Sequence, residues 1–125
     1  VTYSSAEIQT AKDTACSSWD KAARATALAG RASAAALESE RNSQAPASAT
    51  ALAVEKRVGA SQVAYLRTQL GPAAPPDVMS PINDWIAAQI DSLHWANVRD
   101  WTASNAANDR GNSLVDIIDR ECGMS

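Results

Sequence analysis

With 125 residues the chain is long enough for one hydrophobic core. Its abundance of alanine, few β-branched residues and absence of phenylalanine point to an all-α fold. Charged residues make up 20% and the net charge is −3, with no clustered Lys/Arg, which argues against a nucleic-acid surface. No stretch of about 18 consecutive apolar residues occurs, so no segment reads as a membrane span. The charge is uneven: residues 1–71 carry 8 basic and 6 acidic side chains, residues 72–125 carry 3 and 8. The acidic half is either a solvated face or a docking surface for a basic partner.

The first predicted helix covers about 5–41. Ser4 and Glu7 have capping-box spacing at its start. Ile8, Ala15, Trp19, Ala23, Thr26, Gly30, Ser33 and Leu37 form one stripe at helical spacing. Asp13, Asp20, Arg24, Arg31 and Glu38 line the other side, with Asp20 and Arg24 placed for a surface pair. After Trp19 the inner stripe becomes small, which predicts close approach of a neighbouring backbone and an interior with little free volume.

Residues 42–48, NSQAPAS, break that helix. A second helix is predicted over 48–70, stopped by Gly71-Pro72. One of its stripes is Leu52, Gly59, Val63, Leu66 and Leu70; the other is Ala51, Val54, Val58 and Tyr65. Two apolar sides suggest a central helix, or one whose second face meets another chain. After the stiff GPAAPPD connection, Ser80-Pro81 reads as N-cap and first helical residue, predicting a third helix over 81–107. Ile82, Trp85, Ile86, Ile90, Leu93 and Trp101 are its expected inward residues. NDRGNS at 108–113 reads as a turn, followed by a short fourth helix over 113–122 ended by Gly123. The expected architecture is a four-helix bundle-like domain spanning 1–125, with one long N-terminal helix.

Cys16 and Cys122 are the only cysteines. With a single histidine, no zinc site can be assembled. They form a disulfide, or two inert buried thiols, or include a reactive thiol. The expected reading is a disulfide between the first helix and the last, which requires an oxidising, extracytoplasmic compartment. The start at Val1 fits a removed signal peptide, an anchor lying outside this sequence, or a start set by cloning.

No set of side chains recommends catalysis, a metal site or a cofactor. His94, at the flank of the third helix, reads as a partly buried, hydrogen-bonded histidine, with haem ligation as its functional alternative. Asp84 and Asp91 share a face and read as solvated. Trp95 projects toward them, away from the core stripe, and is either covered by a neighbouring segment or part of a binding surface. Tyr65, beside Val58 on the outer stripe of the second helix, raises the same question more weakly.

YSSAEIQTAKDTAC near the start and DRECG near the end resemble a group of exported, alanine-rich actinobacterial envelope proteins. The matching positions are Tyr3, Ile8, Ala11, Lys12, Cys16 and Cys122, and the resemblance is confined to the two ends. It implies a helical domain outside the cytoplasm, held by a membrane anchor, and supplies no activity. The expected function is a non-enzymatic interaction module of the cell envelope. It would bind a protein partner, or its own copy, through Trp95, Asp91, Asp84, Tyr65 and Val58. The alternative is a carrier holding a lipid or haem among the helices, with His94, Trp101 and Tyr65 as the candidate ligand residues.

Overall fold

The computed structural model describes residues 2–43 and 48–124. It contains four helices and, among the described residues, no strand: α1 Ser5–Ser43, α2 Ser48–Gln69, α3 Pro76–Asn97 and α4 Trp101–Cys122. Residues 44–47 of the expected NSQAPAS break lie outside the described residues. At 1.5 Å rise per residue α1 is about 58 Å long and each of the others about 33 Å. α1 runs along α2 and α3 along α4, while contacts between these two hairpins are far sparser.

Local chemistry sets the helix ends. The Ser4 backbone N–H donates to Glu7 Oε1 at 2.9 Å, and the Glu7 N–H donates to Ser4 Oγ at 3.1 Å, closing the expected capping box. The Ser4 backbone bond, then its hydroxyl bond, hold the Glu7 carboxyl below its ordinary pKa. The sign follows: this stabilisation is present above the ordinary glutamate value and is lost as pH falls through the lower folded value. Glu40, near the end of α1, accepts hydrogen bonds from the backbone N–H and the hydroxyl of Ser48, tying α1 to the first turn of α2. At the other end of the chain Gly123 adopts φ 70°, and its N–H and that of Met124 bond back to the carbonyls of Arg120 and Asp119.

Both boundaries of α3 and the start of α4 depart from expectation, while α4 ends at Cys122 as expected. α3 begins at Pro76, with extended Pro75 as its N-cap, so Pro81 lies inside the helix rather than at its start. Pro81 cannot donate a helix hydrogen bond. The helix nevertheless forms there because it buries Val78 and Ile82, 2% and 0% exposed, in the core. The break between α3 and α4 falls at residues 98–100, not at 108–113. Arg99 takes a left-handed φ of 61°, the Asp100 N–H bonds the Trp95 carbonyl, and the Arg99 N–H bonds the Ala96 carbonyl. This is a Schellman closure with arginine where glycine is usual, at a cost of about 1–2 kcal/mol. Asp100 then caps α4, accepting from the Ala103 N–H at 3.0 Å. The glycine of NDRGNS is not in a turn at all: Gly111 is buried in the middle of α4.

The large buried side chains gather at one end of the bundle. Trp19, Leu66, Ile82, Ile118 and Val78 are the largest that are fully buried. They come from the N-terminal halves of α1 and α3 and the C-terminal halves of α2 and α4. Trp19 and Trp85 meet edge to face, centroids 6.1 Å apart. The Cys16–Cys122 disulfide lies in this same cluster and links α1 to α4 across 106 residues. The second face of α2 is not buried: Tyr65 and Val54 are about two-fifths exposed, and Ala51 and Val58 half-buried. Ile90, expected inside, is 37% exposed.

Two outcomes test this packing. Replacing both Cys16 and Cys122 by serine should lower the unfolding free energy in urea by about 2–5 kcal/mol, the range for a loop this long. Trp19 Nε1 is buried without a hydrogen-bond partner among the described residues. Trp19→Ala should therefore cost about 3–5 kcal/mol, and Trp19→Phe, which removes the orphan donor while keeping a ring, no more than about half as much.

Candidate functional site

The other half of the bundle is open. The C-terminal halves of α1 and α3 and the N-terminal halves of α2 and α4 surround a cleft of about 670 Å³. A second cleft of about 320 Å³ runs on from it toward the core, sharing Thr26, Gly30, Glu55, Gln89 and Asn108 as lining. Both volumes fall within the ~300–1,000 Å³ usual for small-molecule sites.

The cleft exists because its walls are short. Thr26, Gly30 and Ser33 of α1 line it, so the small stripe of the first helix leaves a gap between the hairpins instead of closing one. The expectation of an interior with little free volume is therefore corrected. Close backbone approach occurs elsewhere, in the seam between α3 and α4. There Ala88, Ala96, Ser104 and Ala107 are buried, and the Ser104 hydroxyl donates to the Ser92 carbonyl at 2.9 Å. A Cβ added at Gly111 would sit 3.5 Å from the Ala88 Cβ and 3.2 Å from Gln89 Nε2.

Two long polar side chains reach into the clefts, each laid over a glycine of the helix beside it. Gln89 of α3 lies over Gly111 of α4, and Glu55 of α2 over Gly30 of α1, where an added Cβ would meet the Glu55 Oε2 at 3.2 Å. Gln89 is only 8% exposed. Its amide makes no hydrogen bond to any described residue, and it lines both clefts. The amide atoms themselves are not sealed in: among the described residues the fully buried side-chain nitrogen or oxygen without a partner is Trp19 Nε1, so the Gln89 amide is reachable from the clefts. Glu55, half-buried, forms no ion pair among the described residues. Asn105 and Asn108 of α4 add further carboxamides, and Trp101, 46% exposed, stands at the wall.

The residues singled out from sequence are placed differently. Trp101 is not an inward residue of α3 but the first residue of α4. It is the one member of the His94, Trp101 and Tyr65 set that lines the larger cleft. His94 is exposed rather than partly buried, and its ring meets that of Trp95 edge to face at 4.7 Å. Asp84 is exposed, and Asp91 is paired with Arg110 of α4 at 2.6 Å. Trp95 is 38% exposed. Among the described residues no bond or ring contact connects Trp95 or Asp91 with Tyr65 or Val58 on α2. Gln89, Glu55 and the α4 asparagines carried no motif. The available signal was the spacing of Trp101, Asn105, Asn108 and Asn112 by four, three and four, which marks one face of a helix once that helix is known to start at 101.

Among the described residues no group of acidic, histidine or cysteine side chains could hold a metal ion, and no helix is long and apolar enough to cross a membrane. No family model matches the chain, and neither a curated protein nor a solved structure matches it.

The packing of Gln89 over Gly111 predicts a separation of effects. Gly111→Ala should shift the Gln89 side-chain amide resonances while changing the thermal midpoint little, because a gain in helix propensity of about 1 kcal/mol offsets the crowding. Gly111→Val should cost about 1–3 kcal/mol. Unshifted Gln89 resonances in both variants would show that the amide does not lie there.

Proposed function

We propose that this chain is a non-enzymatic binding domain that works outside the cytoplasm and takes its ligand in the cleft between the two helix hairpins. The observation that carries the reading is Gln89: a carboxamide nine-tenths buried, without a partner among the described residues, and exposed to both clefts. A ligand in the cleft can bond this amide, whose atoms are reachable there and are engaged by no described residue.

The disulfide supports the address, because such bonds persist in oxidising compartments. Attachment to a cell envelope through a membrane anchor is the part of the proposal that rests on the resemblance of the two ends of the chain. Binding of a protein partner, or of a second copy, through the Trp95/Asp91 and Tyr65/Val58 faces is a weaker reading. Asp91 already has a partner, and the exposed side chains are scattered over separate helices. A haem carrier is not favoured either, since His94 and Tyr65 stand outside both clefts.

A fragment screen followed by backbone and side-chain amide NMR separates these readings. Bound fragments should shift Gln89, Ser92 and Trp101, and Ser33→Trp, which fills the cleft from α1, should abolish those shifts. Shifts confined to Trp95 and Asp91, or to Tyr65 and Val58, would overturn the cleft in favour of an outer-face docking site.

A further inference from the structure

We infer that the ligand of this cleft is a neutral, polyhydroxylated molecule: a saccharide. The inference rests on the cleft being the binding site and goes further by naming what its lining can recognise.

The charge of the larger cleft's lining is balanced. In the larger cleft Glu55 is accompanied by Lys56; in the smaller one Asp20 is held by Arg24 at 2.9 Å, and Glu55 and Asp119 add two carboxylates with no ion pair among the described residues. An anion finds no unopposed positive field in either cleft, and in the larger one a cation finds no unopposed negative field. An acyl chain would cover the apolar part of the lining but leave its amides and hydroxyls without partners. Gln89, Ser92, Asn105 and Asn108 interrupt the apolar wall that Leu52, Leu93 and Leu37 would otherwise make continuous.

What the lining does present is a row of uncharged groups that donate and accept side by side. A carboxamide offers two N–H donors and a carbonyl acceptor. A hydroxyl is both donor and acceptor, so one carboxamide can engage two neighbouring hydroxyls at once. Gln89 from α3 and Asn108 from α4 line both clefts, with Asn105 one turn away from Asn108 toward the mouth. Glu55 accepts from a further hydroxyl and, as a charged acceptor, makes the stronger bond. Trp101 lies on the same face of α4 as Asn105 and Asn108. Its indole gives a flat apolar surface for the C–H face of a sugar ring. Gly30 and Gly111 keep the walls back, so that Glu55 and Gln89 have room beside the ring. The combination is a flat aromatic wall, carboxamides at successive turns and the Glu55 carboxylate, in a charge-balanced larger cleft that continues into a smaller, more acidic one. It fits a short saccharide better than any charged or purely apolar ligand.

The test is a titration of the oxidised protein with separate neutral sugars: glucose, galactose, arabinose, N-acetylglucosamine, trehalose and maltohexaose. Tryptophan fluorescence and the side-chain amide resonances of Gln89, Asn105 and Asn108 are the readouts. At least one sugar should give saturable shifts at all three amides together with a change in indole emission. Gln89→Leu and Trp101→Ala should each weaken that binding by about tenfold or more. Trp95→Ala, which removes an indole outside the cleft, should leave it unchanged. If fragments occupy the cleft while none of these sugars shifts the three amides, the saccharide assignment is overturned and the cleft survives as a site. The same holds if tetraglycine amide shifts them and the sugars do not. Should neither sugars nor fragments shift them, both the assignment and the cleft reading fall. Circular dichroism and the thermal midpoint of each variant show whether a lost shift reflects a lost contact or a lost fold.

Discussion

The bond between Cys16 and Cys122 is the constraint around which this architecture is arranged. α1 and α2 form one hairpin and α3 and α4 another, and each hairpin is packed far more extensively within itself than against its neighbour. The disulfide joins the first helix of one to the last helix of the other. It sits where Trp19, Trp85, Leu66, Ile82 and Ile118 bury their surface. At that end, covalent closure and hydrophobic burial act at the same place. Burying five such side chains is worth roughly 1.5–3 kcal/mol each before the entropy of ordering them is counted. A core this small gains much from a crosslink that raises the free energy of the unfolded chain.

Confining the large side chains to one end leaves the other end to be shaped by small ones. Thr26, Gly30 and Ser33 on α1, Ala49 on α2 and Ala96 on α3 cannot reach across the space between the hairpins, which meet beside it where Leu93 of α3 packs on Gly59 of α2. The result is a cleft rather than a second core. The seam within the α3/α4 hairpin uses small residues in the opposite sense. Ala88, Ala107 and Gly111 bring two helices together, and the room gained holds the Gln89 side chain against the α4 backbone. Small side chains thus close one interface and open another. The difference lies in what stands opposite: a second small stripe in the seam, and a gap held open by the hairpin geometry in the cleft.

The cleft and the disulfide belong to one design. A bundle stapled and packed along its whole length would have no interior left for a ligand. One stapled at a single end can leave a cleft open at the other, because the closed end supplies most of the burial. Gln89 sits at the boundary between the two regimes, one turn beyond Trp85 in the core and one turn before Leu93 in the cleft. Its chain is packed against Gly111 of α4 while its amide faces the clefts.

Much of this was legible in the residues. The helical class, the extent of α1 and α2, the capping box at Ser4 and Glu7, the stop at Gly123 and the pairing of Cys16 with Cys122 follow from local rules: propensity, caps, periodicity and cysteine count. Such rules act within a few residues, so a linear reading captures them. The join between α3 and α4 escaped because Arg99 takes a conformation usually left to glycine, while the glycine nearby serves packing. Val78 and Ile82 draw the start of α3 past Pro81 for a similar reason. Burial against other helices outweighs a local breaker, and burial is not a local quantity. The cleft lay beyond the sequence altogether. Whether a stripe of small side chains admits a helix or leaves a void depends on the distance to the next element, and only the packed bundle sets that distance.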